Sequence, residues 1–450
     1  MRLLSPKQFQ THPGKFIALW ADLTHVHALY QPGDWVSAPL AGNTYPALPA
    51  PGAAWFQRLA QDTLGCTALG TTDTRPAIEQ WRAQDGTAAW PEFAKPEEGQ
   101  HALALGPVHG AITEPGYFRF TLRGERVHRL ETRLGYAHKS TLGLIRGKSP
   151  RLAARFAARI SGDATVAHSL AFAHAAESAL GLPVPARAVH LRAIMAELER
   201  LANHAGDLAA IARIIGSALP ESRLALAREH LCKAAHAAFG HRLMMDIVIP
   251  GGIAGDLRSG GMAALHATLI ALEHELPGLT HMFEDVQDHL ATGTIPPALA
   301  AAFCAGGFTG RASGQPEDSR VTPGYAPYTD LNLHIPLAHT GDVAARTRIR
   351  LAEMSDSIRL LHSLLAGLPD TAIAIAPPSG TGAGLGVAES FRGPVWHWLR
   401  IESGAIADVF IADPSTLHFP LLEHAATTGN LADFPLILQS INPSHSGVDL

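Results

Sequence analysis

The sequence predicts an α+β fold, with a mainly α-helical bundle core, flanking antiparallel β elements and a small N-terminal α+β domain. Three observations carry this. Long Ala- and Leu-rich runs with few breakers fill residues 138–290 and return at 342–365. Alternating strand texture brackets them, at 104–133 and at 382–415. The first hundred residues are instead rich in turn formers, with short apolar runs between them, which sets residues 1–100 apart from 101–450 as a separate unit.

Taken in order, Phe16–Trp20 reads as a strand and Ala54–Ala60 as a helix, and the Pro/Glu-rich stretch Phe93–Gly99 reads as a linker. Tyr117–Leu122 alternates, Gly124 offers a turn, and Arg126–Leu130 alternates back, which is the pattern of a hairpin. Ser149-Pro150 is a helix start, a capping serine followed by a proline at the first helical position. The run Leu152–Leu180 is interrupted at Gly162. In the run Ala186–Ala210, Leu191, Ile194, Met195, Leu198 and Leu201 recur every three or four residues and share one face. Helices are also expected over Ser222–Ile249, Met262–Ala291 and Asp342–Leu365. Such long apolar helices pack as a bundle. Gly404 is the expected turn between strands Val395–Glu402 and Ala405–Ala412.

Composition excludes several classes. Charged residues make up 17% and the formal net charge is −5, with no Lys/Arg stripe to neutralise phosphates, so no nucleic-acid partner is expected. No stretch reaches about 18 uncharged apolar residues, so membrane association would go through partners. The N-terminus lacks the apolar core of a signal peptide, and cytoplasmic placement is expected. The three cysteines, Cys66, Cys232 and Cys304, are far apart and form no C-x-x-C pair. A tetrathiolate zinc site and a self-contained iron–sulfur cluster are therefore excluded.

Several long motifs, in order over residues 104–450, carry a resemblance. They are Gly106-Pro107-Val108-His109-Gly110-Ala111-Ile112-Thr113-Glu114-Pro115-Gly116-Tyr117-Phe118-Arg119-Phe120, Glu131-Thr132-Arg133-Leu134-Gly135-Tyr136-Ala137-His138-Lys139, and Met195-Ala196-Glu197-Leu198-Glu199-Arg200-Leu201-Ala202-Asn203-His204. Phe239–Asp246, Pro250-Gly251-Gly252, Gly310–Gly314 and Arg392-Gly393 fit as well. Together they resemble the large subunit of energy-converting (group 4) nickel–iron hydrogenases and of respiratory complex I, the NADH–quinone oxidoreductase. Residues 50–80 are similar to the small complex I subunit often fused ahead of this one, which would make the first domain its remnant. The resemblance implies an iron–sulfur small subunit, a ferredoxin-like subunit and membrane ion-pumping subunits as partners. It also implies a peripheral position on the cytoplasmic face of the inner membrane, with iron–sulfur clusters in the partners and no cofactor bound by this chain beyond a quinone or other acceptor.

Active hydrogenases of the family hold nickel through four thiolates, which donate charge and are already deprotonated. The first pair lies in R-x-C-G-x-C-x-x-x-H, where this chain reads Arg159-Ile160-Ser161-Gly162-Asp163-Ala164-Thr165-Val166-Ala167-His168. The second lies in D-P-C-x-x-C, where it reads Asn442-Pro443-Ser444-His445-Ser446-Gly447. All four ligand positions, Ser161, Ala164, Ser444 and Gly447, have lost sulfur. The relay glutamate of the H-K-G-x-E run is Leu142. The quinone pair of complex I is missing too: glycine (Gly162) stands at its tyrosine position, and of its two histidines only His109 is kept, the second falling near Thr113.

What the resemblance leaves as candidate cavity residues is Arg392, Asp163, His168 and His109. Arg392 matches the arginine over the metal, and if buried it needs a partner. Asp163 is the expected one, within about 8 Å, the range of a close charge pair. Asp163 and His168 could also serve as an acid–base pair, although a histidine on an Ala-rich helix fits a hydrogen-bonded core position better than a ligand position. Glu197 and Arg200 are read as a pair inside the bundle. Three readings compete: electron transfer from the partner cluster to a quinone or other acceptor in the emptied cavity, a catalytically silent scaffold, and a metalloenzyme using His168, His445 and Asp163. None is an active nickel–iron hydrogenase.

Overall fold

The computed structural model describes residues 1–71, 73, 93–110 and 114–450. Thr113 and the rest of 111–113 lie outside the described residues, as does most of 72–92. The α+β expectation holds: a bundle of long helices is flanked by small antiparallel sheets.

The bundle is built around Ala186–Ile214, which packs against Ala218–Phe239 and Val343–Ala366. Gly261–Glu284 closes the group. The apolar stripe anticipated on the first helix is buried, with Leu191, Ile194, Met195, Leu198 and Leu201 all in the main core. Ser149 caps its helix as the sequence suggests, accepting from the Leu152 N–H ahead of Pro150. Three helix boundaries differ from expectation, one of them the helix expected over Met262–Ala291, which ends at Glu284. The run Leu152–Leu180 is two helices, Pro150–Ala157 and Thr165–Leu180, and the irregular turn between them is the first ligand loop. The helix expected to reach Ile249 stops at Phe239, because Gly240 adopts a left-handed conformation (φ +85°) and caps it.

The three-stranded sheet Gly382–Ser390, Gly393–Glu402 and Ala405–Ala412 lies against Thr165–Leu180. Gly382, Gly384 and Gly386 face the backbone of Ala179, Ala175 and Ala171, so helix and strand are in contact with no side chain between them. Gly404 (φ +80°) forms the turn that the sequence places there. The opposite face of this sheet meets the N-terminal sheet, whose strands run Arg2–Leu3, Asp34–Pro39, His25–Tyr30, Phe16–Ala21 across the layer. Trp20 stacks on Phe410 at 4.7 Å and tilts against Trp398, joining the two sheets in one apolar cluster. A third sheet, His101–Leu105, Tyr117–Arg123 and Arg126–Arg133, packs on Ser415–Ala426 and Phe434–Ile441. Among the described residues, no helix is long and apolar enough to cross a membrane.

Candidate functional site

Two irregular loops define the site. The first, 158–164, feeds the helix Thr165–Leu180. The second, Asn442–Ser444, starts at the left-handed cap Asn442 (φ +45°) of Phe434–Ile441 and leads into His445–Asp449. The Gly135–Lys139 segment pins both: Asp449 accepts from the Gly135 and Ala137 N–H groups at 2.7 and 2.8 Å, and Lys139 Nζ donates to the Arg159 and Ile160 carbonyls. The Glu131–Lys139 motif of the sequence thus ends in a clamp on the two loops.

The loops meet through hydroxyls. Ser161 Oγ and Ser444 Oγ are 2.9 Å apart, and Ser161 donates to Asp163 Oδ1 at 2.5 Å. Ala164 supplies only a buried methyl. At Gly447 an added β carbon would stand 2.6 Å from Asp413 Oδ2, so a side chain there requires Asp413 to move.

Three carboxylates lace this region together. Asp163 receives a two-pronged ion pair from Arg392, at 2.9 Å from Nη1 and closer from Nη2, and Arg392 also donates to the Asn442 carbonyl. The side chain of Arg392 is 2% exposed, so this fork is its main compensation. Glu114 accepts from the His445 N–H at 2.7 Å and the Ser446 N–H at 3.3 Å. Burial pushes its carboxyl up, yet these bonds and the His445 side chain prevail and bring it down to about 2. Asp413 accepts from His168 Nε2 at 3.1 Å and from the Ser415 N–H at 2.7 Å. Burial opposes its charge, but His168, Arg392 and Ser415 together outweigh burial, so it too falls to about 2.

Of the residues singled out in the sequence, Asp163 and Arg392 come together and line an open cavity of ≈ 600 Å³ beside the serines. His168 does not line it. Its ring is fully buried, sharing hydrogen bonds with Asp413 and with His397 Nε2 at 3.0 Å, because its position in the first turn of the helix faces the three-stranded sheet. His397 is driven well below the ordinary histidine range, first by burial and then by His168. His109 is exposed on its loop and is also absent from the cavity wall; Glu114, further along the same loop, takes that place. Leu142 is part-buried against an apolar cluster and carries no proton. Sequence reasoning missed Glu114, Asp207 and Asp413. Only Glu114 had a local signal, a carboxylate entering a Pro-Gly turn. Among the described residues, no three His, Cys, Asp or Glu side chains are grouped so as to hold a metal ion. His168 is held by Asp413 and His397, and Asp163 by Arg392, so the set His168, His445 and Asp163 does not form a coordination sphere.

The Glu114 arrangement makes a pH prediction. A carboxyl depressed in the folded state stabilises above its unfolded value near 4.5 and loses that contribution as pH falls toward 2. Replacing it, Glu114→Gln, is expected to remove roughly 2–3 kcal/mol at neutral pH and to flatten the acid side of the stability profile. Chemical denaturation of both proteins between pH 7 and pH 3 checks this; parallel profiles would refute it.

Two irregular loops thus meet at the edge of a long-helix bundle. Known proteins match this chain. The model of the nickel-dependent hydrogenases matches residues 143–206, and that of the respiratory-chain NADH dehydrogenase 49 Kd subunit matches 215–382. An NADH-quinone oxidoreductase chain of Granulibacter bethesdensis is 31% identical over 278 residues, 60% of this chain and 68% of that one. The carbon monoxide-induced hydrogenase of Rhodospirillum rubrum is 27% identical over 351 residues, 76% of this chain and 97% of that one. The fold matches a chain of the membrane-bound sulfane sulfur reductase, an archaeal respiratory membrane complex, with a TM-score of 0.73 at 22% identity, covering 79% of this chain and 99% of the other. The chain belongs to the family that unites the large subunits of group 4 nickel–iron hydrogenases with the 49 Kd subunit of the respiratory NADH dehydrogenase.

Proposed function

We propose that the chain is the cavity-bearing large subunit of a complex I-like, hydrogenase-related oxidoreductase, passing electrons from a partner iron–sulfur subunit to a quinone or other acceptor without a nickel–iron centre. The observation that carries this is the replacement of all four thiolates by Ser161, Ala164, Ser444 and Gly447 next to a cavity that stays open. The donor set does not fit nickel and iron: a serine hydroxyl is protonated where a thiolate is not, and Gly447 has Asp413 against it. Asp163, Glu114 and Asp413 supply the fixed negative charge that holds the loops in place.

Within this reading, Arg392 holds Asp163 at the cavity wall, and its guanidinium favours charge that develops on a reduced acceptor. The ferredoxin-like subunit and the membrane ion-pumping subunits complete the assembly, which sits peripherally on the cytoplasmic face of the membrane. The bundle face beside the cavity docks the small subunit. A silent scaffold is the second reading; an open polar cavity weighs against it, since a subunit kept only for shape has no need to leave ≈ 600 Å³ unfilled.

The test is reduction of decylubiquinone by the purified assembly, with reduced methyl viologen as the electron source. Arg392→Ala is expected to slow the enzyme-dependent rate at least roughly tenfold, a barrier increase of about 1.4 kcal/mol. Equal rates in wild type and variant, or no rate above the uncatalysed reaction with any acceptor tried, would leave the scaffold reading standing.

A further inference from the structure

The charges that line the cavity are nearly all accounted for within the chain. Asp163 is held by Arg392. Glu114 is held by the His445 and Ser446 N–H groups. Asp207 pairs with Arg350 at 3.3 Å and accepts from Asn442 Nδ2 at 2.8 Å. Glu221 stands 3.9 Å from Arg213. One charge is left over. Arg228 lines the cavity and, among the described residues, has no carboxylate partner.

An acid that shares a hollow with it does not serve it either. Glu199 shares with Arg228 a crevice of ≈ 20 Å³ behind the cavity, room for about one water. Both Glu199 oxygens are already taken by the Val166 and Ala167 N–H groups, at 2.6 and 3.0 Å.

The path of Arg228 is also built in. Gly206 sits in the interior of Ala186–Ile214, where glycine costs about 1 kcal/mol relative to alanine. A β carbon at Gly206 would lie 2.9 Å from Arg228 Cδ and 3.0 Å from Nε. The glycine lets the arginine lie flat across the helix and bring its guanidinium to the cavity.

From this we infer that the cavity takes a small anionic ligand, a carboxylate or an oxyanion of similar size, whose charged end rests on Arg228. A fixed guanidinium fork matches such groups in shape as well as charge. The walls favour this over a long-tailed apolar molecule, since among the described residues the only apolar side chains in them are the alanines 209, 210 and 225. The inference rests on the reading of the cavity as an acceptor site and names the chemistry of what enters it.

The experiment is calorimetric titration of the purified full-length chain at low ionic strength with formate, acetate, oxalate and inorganic phosphate, and separately with decylubiquinone. At least one anion is expected to bind, with Arg228→Gln weakening it roughly tenfold or more, the loss of one charge-assisted hydrogen bond. Gly206→Ala, which favours the helix and displaces only the arginine, is expected to weaken it as well while unfolding remains unchanged or shifts upward. Anion binding that is equal in wild type and Arg228→Gln overturns the inference. Binding of decylubiquinone with no anion bound overturns it too, yet leaves the acceptor cavity intact. Binding of neither defeats both.

Discussion

Replacing Glu353 by alanine is expected to destabilise the chain by about 3–5 kcal/mol, the cost of breaking a buried ion pair from one side. Glu353 is 2% exposed and is a shared acceptor. It takes Arg311 Nε at 2.7 Å on one oxygen, and His204 Nε2 at 2.8 Å and Arg200 Nη1 at 3.4 Å on the other. Burial opposes its charge, but Arg311, His204 and Arg200 hold its carboxyl well below the ordinary range. Removing it leaves two guanidinium groups, each 1% exposed, in the bundle interior with one partner fewer. Arg311 retains Asp318 and Glu389, both at 3.2 Å, which keeps the loss below that of an isolated charge. Glu353→Gln keeps the shape without the charge and is expected to recover less than half of it. Denaturant midpoints of the three proteins check this; a Glu353→Ala variant as stable as wild type would show that the network does not hold the bundle.

Placing a methyl group between sheet and helix is expected to cost at least about 3 kcal/mol at a single position, the upper range for overpacking. At Gly384 the added carbon would stand 2.2 Å from the Ala175 carbonyl oxygen and 2.4 Å from the Ala179 nitrogen; at Gly386 it would stand 2.2 Å from the Ala171 oxygen. These are backbone atoms, which no rotamer change can move. The helix must therefore shift off the sheet, and with it the first ligand loop at its N-terminus. Gly384→Ala is thus expected to lower the midpoint and to widen the 2.9 Å contact between Ser161 and Ser444. Gly143→Ala, at a position with open space around it, is the control and is expected to be neutral. Equal stability of the two variants would contradict the contact.

Much of this architecture was legible in the sequence. Helical periodicity marked Ala186–Ile214 because its apolar stripe faces a core, and Gly124 and Gly404 marked their turns because both need positive φ. The Asp163–Arg392 pair followed from chemistry, since a buried arginine needs a carboxylate and the first loop offered one. The Glu197–Arg200 pair was visible as an i,i+3 spacing and is present at 3.4 Å. The partners that complete each cluster were not visible. Glu353, Asp413 and Asp207 reach their arginines and histidines from segments 42 to 245 residues away in the chain, and no local pattern marks such a meeting. His168, named with the cavity residues, takes instead the hydrogen-bonded core position that its Ala-rich helix favoured. Periodicity says that a residue lies in a helix but not which of two polar surroundings its ring turns toward. The Glu114 carboxylate was overlooked in a run read for its histidine.

The proposed function turns on two loops that are joined by hydroxyls and carboxylates where the resemblance places thiolates. Nickel per chain, measured by inductively coupled plasma mass spectrometry on the assembly purified from its native host grown with nickel, tests it most directly, because partner clusters contribute iron but not nickel. Nickel at background is the expected result; one nickel per chain, retained after chelation and lost in Ser444→Ala, would contradict it.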